Sequence, residues 1–256
     1  NINIESKIEV TPGDTLIIID APVAEKSDID VTYTTMPIGI LVTPKHVITV
    51  SLRENAIIAE FSEGVVKGVQ TELKTQFVLK IMLRVATRYL QFLKQIDKVS
   101  SVLERQLRKS MKNKELIQLL DIQKSLVYFS TSLKADETTL EKLMRGRYIK
   151  LYEEDQDLLE DVVIEFKQSV EMSGTYSSIL QETMDAFSSI ISNNMNQVMK
   201  TLTIVTVLME IPTMIFSFYG MNMQDLNRFI PFTGFALSLS IGIVGLVAFI
   251  FWRKKY

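Results

Sequence analysis

Residues 202–219 read LTIVTVLMEIPTMIFSFY, and residues 232–252 read FTGFALSLSIGIVGLVAFIFW. As helices, these segments would be about 27 Å and about 31 Å long, at roughly 1.5 Å per residue. A bilayer core is about 30 Å thick, so each segment is long enough to span it. The alternative is a pair of buried helices in a soluble core, but the second segment carries no charged residue and precedes a basic tail. We therefore predict two C-terminal transmembrane helices.

The charges that flank the two segments predict their orientation. Lys200 precedes the first segment, and the basic tail, residues 253–256, follows the second. The connecting loop, residues 220–231, carries one basic residue, Arg228, which Asp225 offsets. Because positively charged flanks stay in the cytoplasm, both termini are predicted to be cytoplasmic. The chain is therefore predicted to be a multi-pass protein of the cell membrane, either plasma or inner.

The composition of the 256-residue chain excludes several classes of function. With 28 Lys and Arg against 30 Asp and Glu, the chain lacks the basic excess that a nucleic-acid-binding protein shows. It has no cysteine and one histidine, so a thiolate metal site, a catalytic zinc site and a Ser-His-Asp triad all lack parts. We expect neither an enzyme nor a nucleic-acid partner. The histidine, His46, is expected at the surface or at a sheet edge.

The first 64 residues are predicted to be rich in β-strands. Five β-branched runs are separated by turn signals such as Pro12-Gly13 and Pro44-Lys45. The runs are residues 15–20, 31–35, 38–43, 46–51 and 56–61. The stretch 38–51 is expected to be a hairpin. Because the chain begins with Asn1 and not Met, we expect this part of the domain to be truncated.

After Gly68 the hydrophobic pattern becomes helical. Apolar residues recur at steps of three and four and define one face of a long helix. They are Leu73, Phe77, Ile81, Val85, Tyr89, Phe92 and Ile96. Proline is absent between Pro44 and Pro212, so a last cytoplasmic helix can run unbroken from about Tyr152 into the first span. A helix of that length must pack against other helices to be stable.

These patterns predict an α+β cytoplasmic domain, then a very long stalk helix and two transmembrane helices. The expected order is a β-rich part (1–64), a helical cytoplasmic region (65–150), the stalk helix (151–201), the first span (202–219), an extracytoplasmic loop (220–231), the second span (232–252) and a basic cytoplasmic tail (253–256).

A polar stripe runs along the stalk helix and into the first span. Alternate steps of four and three from Glu171 meet polar or charged residues at every position except Met199. The positions are Thr175, Ser178, Glu182, Asp185, Ser189, Ser192, Asn196, Met199, Thr203, Thr206, Glu210, Thr213 and Ser217. Polar groups in a span face a bundle interior or water, and an average spacing of 3.5 keeps them on one side of a left-handed bundle.

The simplest assembly that satisfies this stripe is a ring of identical helices around a water-filled axis. Two spans per chain cannot enclose such an axis, so the stripe predicts an oligomer. The alternative is that the Thr and Ser hydroxyls bond their own helix carbonyls and mark a helix contact. Met199, with Leu202 close to the same face, is predicted to be an apolar constriction that gates by dewetting. Glu210 is a costly residue for a span, and a ring of it is expected to share protons or a cation.

The first span is followed directly by Tyr219-Gly220-Met221-Asn222. A GMN triplet at the end of the first of two C-terminal spans, with a basic tail, resembles the CorA family of divalent-cation channels. The segment NQVMKTLTIVT (196–206) is similar to that family's entry into its first span. The likeness of organisation covers the whole chain, and the close likeness covers residues 193–223. One departure is Glu210, where the family commonly has an apolar or small residue.

The resemblance implies a funnel-shaped homopentamer in a lipid bilayer that admits Mg²⁺, with Co²⁺ and Ni²⁺ as possible substitutes. Gly220, Met221 and Asn222 would then form the selective outer mouth. Asn196, Met199, Leu202, Thr203, Thr206, Glu210, Thr213 and Ser217 would line the pore. Mg²⁺ would also be a regulatory ligand that closes the pore. By position relative to Gly220, the regulatory acids would be Asp161 and Asp185, for which a solvated acidic face is the open alternative.

Two other functions stay open at this stage. A zinc transporter of the ZntB branch shares the two spans and the GMN triplet, and Glu210 would suit proton coupling. The lack of cysteine and the single histidine disfavour it, because zinc prefers nitrogen and sulfur ligands. A membrane-anchored coiled-coil scaffold that conducts no ion is the alternative from a different class.

Overall fold

The structure is a computed structural model that describes residues 6–26, 31–110, 113–219 and 232–253. The chain forms two compact units, residues 1–186 and residues 187–256. In the first unit, strands β1 (Lys7–Thr11), β2 (Asp14–Lys26), β3 (Val31–Val42) and β4 (Val47–Ser51) form an antiparallel sheet in the order β1-β2-β3-β4. The helices are α1 (Ala56–Ser62), α2 (Lys74–Ser110), α3 (Asn113–Met144), α4 (Gln156–Tyr219) and α5 (Phe232–Arg253). A 3-10 turn, Glu153–Asp155, precedes α4.

The core of the first unit lies between the sheet and helices α2 and α3. The inner face of the sheet contributes Ile17 and Ile19 from β2 and Ile38 and Ile40 from β3, all with 0% exposure. Period-2 alternation of buried and half-buried residues along β2 is what places these side chains on one face. An antiparallel sheet commonly packs one face on the core and leaves the other in water. Here the amphipathic helices α2 and α3 cover the packed face.

Aromatic rings fill the centre of this core. The Phe129 ring of α3 meets the Tyr89 ring of α2 edge-on, with centroids 5.1 Å apart, and the Tyr33 ring of β3 at 6.2 Å. Such offset and edge-on pairs are the favoured aromatic geometries, and they add to the apolar area that the rings bury. The cluster therefore joins the sheet to both helices.

Several sequence predictions for this unit are confirmed. Residues 38–51 lie in the β3–β4 hairpin, in which Val42 pairs with Val47, and His46 is exposed at its turn. The predicted apolar face of α2 is mostly buried, with Ile81, Val85, Tyr89 and Ile96 at most 2% exposed. The two runs at 31–35 and 38–43 form one strand that continues through Pro37.

The prediction of a strand at residues 56–61 was wrong, because these residues form helix α1. Asn55 caps this helix, since its side-chain oxygen accepts a hydrogen bond from the backbone N–H of Ile57 at 2.9 Å. The helix then docks on α2, where Phe61 meets Phe77 edge-on at a centroid distance of 5.5 Å. Glu60 also accepts hydrogen bonds from Arg84 and Arg88 of α2. These contacts outweigh the β-propensity of the isoleucines.

The long last helix was predicted from about Tyr152 and begins at Gln156. Its buried face in the first unit includes Ser169 and Ser173, both 0% exposed. The Ser169 hydroxyl lies 3.4 Å from the carbonyl oxygen of Ala86 in α2, and that of Ser173 lies 3.4 Å from the carbonyl oxygen of Leu126 in α3. Small side chains at these positions let α4 come close to both helices.

Candidate ion pathway and regulatory acids

The part of α4 that belongs to the second unit carries the predicted pore-lining residues. All eight are exposed in the single chain: Asn196, Met199, Leu202, Thr203, Thr206, Glu210, Thr213 and Ser217. Apolar side chains on the other faces are exposed as well, for example Met209 at 69% and Met214 at 73%. Exposure therefore does not mark the stripe by itself. Within residues 202–219 the side-chain chemistry marks the stripe, because one face of the helix carries the polar residues and the other faces are almost wholly apolar.

The threonines of the stripe have oriented hydroxyl groups. Thr203 donates its hydroxyl hydrogen to the carbonyl oxygen of Met199 at 2.8 Å, and Thr206 donates to that of Leu202 at 2.9 Å. Thr213 donates to the carbonyl oxygen of Met209 at 3.0 Å. The structure thus shows that these three hydroxyl groups donate to carbonyl oxygens of their own helix, as one of the two sequence-based alternatives expected.

These hydrogen bonds leave the hydroxyl oxygens free to interact with an ion's water. A hydroxyl group has one hydrogen and two lone pairs, and here the hydrogen is used within the helix. What each threonine presents to its surroundings is therefore an oxygen acceptor. The hydrogens of a hydrated cation's water point outward, so a row of acceptors matches a hydrated Mg²⁺ ion.

Met199 and Leu202 interrupt the polar surface with two apolar side chains, which are 52% and 57% exposed. They lie three residues apart and therefore on nearly the same side of α4. The Met199 carbonyl accepts from Thr203, so the polar stripe resumes one turn beyond Met199. The triplet Gly220, Met221 and Asn222 lies outside the described residues.

The second unit also contains the candidate membrane helices. Within the described residues, the helix that contains residues 202–218 is long and apolar enough to cross a membrane, and none of its apolar window is buried. A shorter apolar helix is Leu237–Arg253, part of α5. The prediction of two spans with both termini inside stays a prediction.

The two predicted regulatory acids lie on α4 in the first unit. Asp161 and Asp185 are both exposed and 24 positions apart, which is about 36 Å along a helix. One ion cannot contact both within one chain. Among the described residues, no group of three or more His, Cys, Asp and Glu side chains lies close enough to hold a metal ion. Their role as regulatory acids stays a prediction.

Two glutamines that the sequence pattern did not identify position Asp185. Gln181 donates a side-chain N–H to the Asp185 carboxylate at 3.2 Å, and its carbonyl oxygen accepts from Gln123 of α3. This chain of bonds connects the stripe to the packing of α3 against α4. No local sequence signal marks it, because Gln123 and Gln181 are 58 positions apart.

A family model described as "CorA-like Mg2+ transporter protein" matches residues 2–255. The cobalt/magnesium transport protein CorA of Methanocaldococcus jannaschii is 31% identical over 181 residues, which cover 70% of this chain and 57% of that protein. The alignment thus spans little more than half the length of that relative.

The solved structures that are similar to the chain include the following two. The complete structure of the CorA magnesium transporter from Methanocaldococcus jannaschii has a TM-score of 0.83 and 26% identity, covering 98% of this chain and 80% of that one. The ZntB cytoplasmic domain from Vibrio parahaemolyticus has a TM-score of 0.58 and 12% identity, covering 77% and 75%. The second likeness shows the fold alone. The first confirms the predicted cytoplasmic domain followed by a very long helix.

Proposed function

The chain belongs to the family of CorA-like Mg²⁺ transporter proteins, and on this premise we propose that it is the subunit of a channel for passive uptake of Mg²⁺. Co²⁺ and Ni²⁺ are the expected substitutes, and the name of the Methanocaldococcus relative includes cobalt. The observation that carries the proposal is the polar stripe on α4, which continues through the membrane-spanning segment as a row of oxygen acceptors.

The proposed assembly is a homopentamer in the cell membrane, with both termini in the cytoplasm. A single α4 helix presents its polar side chains to one side and cannot surround them. Polar side chains exposed to lipid are costly, so the stripe requires copies of itself to enclose it. In this arrangement α4 lines the axis from Asn196 to Ser217, and α5 packs outside it as the second transmembrane helix.

At the outer mouth, Gly220, Met221 and Asn222 are proposed to select the ion. Mg²⁺ gives up its water reluctantly and prefers oxygen ligands. A ring of Asn222 amide oxygens and Gly220 carbonyl oxygens would bind the hydrated ion through its water, weakly enough for release. Below it the ion would pass the Thr213, Glu210 and Thr206 levels. At the cytoplasmic end, rings of Leu202 and Met199 are proposed to close the pore by excluding water.

The uptake proposal is tested with the full chain in liposomes that hold a Mg²⁺-sensitive or a Zn²⁺-sensitive dye. We expect Mg²⁺ entry down its gradient, with no dependence on an imposed pH gradient. Zinc entry driven by protons, without Mg²⁺ flux, would replace the proposal by a ZntB-like zinc transporter. No flux of either ion by an intact, inserted oligomer would favour a scaffold that does not conduct. The mass of the oligomer in detergent measures the proposed five-fold assembly.

Regulation by cytoplasmic Mg²⁺ is the second part of the proposal. Mg²⁺ bound between chains at Asp161 and Asp185 would screen like charges and hold the closed assembly together. Loss of the ion would loosen the assembly, so that pore opening and ion binding are coupled. The exposed position of both acids, and the absence of a ligand set within one chain among the described residues, fit a site between chains.

Asp185→Asn is expected to weaken closure by internal Mg²⁺. The amide keeps the hydrogen-bond acceptor for Gln181 but removes the charge that binds the cation. In liposomes with high internal Mg²⁺, the uptake rate of the variant should exceed that of the parent chain by about fivefold or more, in line with a coupling of about 1 kcal/mol. Asp157→Asn, which changes another exposed acid of α4, is the control. Equal inhibition of parent and D185N chains would contradict a role for Asp185.

A further inference from the structure

Two carboxyl groups meet between the sheet and α3, far along the chain from the residues of the ion pathway. Asp136 of α3 has 0% exposure, and Asp20 of β2 is half-buried. The Asp136 Oδ1 atom accepts the Asp20 backbone N–H at 2.9 Å and the Ser6 hydroxyl at 2.7 Å. The Asp20 Oδ2 atom accepts the Ser132 hydroxyl at 2.8 Å. The pair thus ties the start of the sheet to α3.

The backbone of Asp20 is the point at which three elements join. Asp20 lies opposite Pro37 of β3, and β1 pairs with β2 only as far as Lys7 and Ile18. The Asp20 N–H and carbonyl therefore lie past the described end of β1. These two backbone groups form hydrogen bonds with helix side chains instead. Asp136 accepts a hydrogen bond from the N–H, and the Tyr89 hydroxyl of α2 donates one to the carbonyl oxygen at 3.0 Å.

The second oxygen of Asp136 has a different environment. Its Oδ2 atom is buried and has no hydrogen-bond partner among the described residues. The Thr139 hydroxyl, one turn further along α3, is also buried and without a partner in the described part of the chain. An unpartnered carboxylate oxygen in the interior is costly when it carries charge, because it has lost its water and gained no donor.

Among the described residues, the groups that bond to Asp136 or interact with its charge carry no positive charge. The Ser6 hydroxyl lies just before β1, the Asp20 carboxyl is in β2 and the Tyr89 phenol is in α2. Helix α3 itself adds the Ser132 and Thr139 hydroxyls, and Ser132 also donates to the Thr35 hydroxyl of β3. Burial raises the pKa of Asp136 well above its usual range, and the negative charge of Asp20 adds to this rise. Burial also raises the pKa of Asp20, against the Ser132 hydrogen bond that lowers it.

We propose that Asp136 binds a proton on its Oδ2 atom at neutral pH, and that this buried proton controls how firmly β1 and β2 are attached to α3. The proton belongs on Oδ2 because Oδ1 already accepts two hydrogen bonds, whereas Oδ2 is buried without a donor among the described residues. Release of the proton leaves two like charges buried together. The attachment then weakens, which makes the contact between sheet and helix sensitive to pH. This inference does not depend on the proposed transport function.

The direction of the pH effect follows from linkage. An attached Asp136 holds its proton more tightly than a detached, solvated one, so the proton stabilises the attachment. The stabilisation is complete below the pKa of the detached acid, about 3.9, and is lost as the pH rises through the raised pKa of the attached state. In that window, detachment releases one proton, so its equilibrium constant rises about tenfold per pH unit.

The test combines two measurements on the full chain in lipid nanodiscs. Infrared difference spectroscopy should show the carbonyl stretch of a buried protonated carboxylic acid at pH 7, and Asp136→Asn should abolish it. Hydrogen exchange of peptides that cover residues 6–20, corrected for intrinsic rates, should speed up by about tenfold per pH unit in the parent chain. In D136N, whose amide imitates the protonated acid, this dependence should fall below about twofold per unit. Glu141→Gln, on the exposed face of α3, should leave both signals unchanged.

Three outcomes would overturn the inference. The first is the absence of a protonated-acid band at pH 7 in the parent chain, and the second is its survival in D136N. The third is loss of the band on addition of Mg²⁺ at constant pH, because the pair would then bind a cation in place of the proton. If D136N does not fold, Asp20→Asn serves instead. Removal of the neighbouring negative charge should lower the pKa of Asp136, so the band should disappear at a lower pH than in the parent chain. An unshifted titration would contradict the pairing.

Discussion

Glu210→Lys is expected to reduce Mg²⁺ uptake by about a hundredfold or more in the liposome assay. A unit positive charge about 10 Å from a divalent ion repels it by about 3 kcal/mol at an effective dielectric constant of 20. In a ring of identical helices, each chain contributes one such charge. Even one of these terms exceeds the difference of about 2.8 kcal/mol that a hundredfold change requires. The effect should be larger than that of any neutral substitution on the stripe.

Glu210→Gln is the matched control for this prediction, because it keeps the size of the side chain and removes the charge. It should change Mg²⁺ uptake far less than the lysine variant, since hydroxyl acceptors above and below Glu210 remain. Oligomer mass in detergent must be the same for both variants. An assembled lysine variant that takes up Mg²⁺ at the parent rate would show that Glu210 does not face the ion path.

The heptad of polar residues in α4 was readable from sequence because it is a local, periodic property. Spacing alone places Thr206, Glu210 and Thr213 on one face of a helix, and the structure has a helix through all three. The enclosing assembly was not readable in the same way. The proposed assembly would depend on other copies of the chain, and the polarity of the stripe is the reason to expect them.

Helix α1 shows where local signals mislead. The run AIIAEF has the composition of a strand, but Asn55 offers a cap and Glu60 pairs with Arg84 and Arg88. Those arginines are 24 and 28 positions further along the chain. Tertiary contacts of this kind decide between helix and strand for short apolar runs, because β-propensity is weak and dependent on context.

The buried acid pair could not be predicted from the sequence at all. Asp20 and Asp136 are 116 positions apart, and each stands in a segment whose pattern gives no hint of the other. A polar residue in an amphipathic helix is ordinarily expected on the solvent side. Only the packing of α3 on β2, past the described end of β1, explains why a carboxyl group is buried there.

The double substitution Thr206→Val and Thr213→Val is expected to lower Mg²⁺ uptake by on the order of tenfold. Valine has nearly the same shape as threonine, but it replaces an oxygen acceptor by a methyl group. A tenfold change in rate corresponds to about 1.4 kcal/mol, which is close to the net value of one hydrogen bond between a threonine oxygen and the ion's water. The two new apolar levels also make the pore harder to wet.

Thr201→Val is the matched control, because Thr201 shares the chemistry of the stripe threonines but not their position. Its hydroxyl donates to the carbonyl oxygen of Gln197 at 2.9 Å, as those of Thr206 and Thr213 do to Leu202 and Met209. It lies two residues from both Met199 and Thr203, and so on the opposite face of the helix. If the threonines only stabilised the helix through these bonds, all three valine substitutions would act alike. We expect T201V to keep the parent uptake rate, and an equal loss in T201V and in the double variant would remove the argument that the polar face lines a water-filled path.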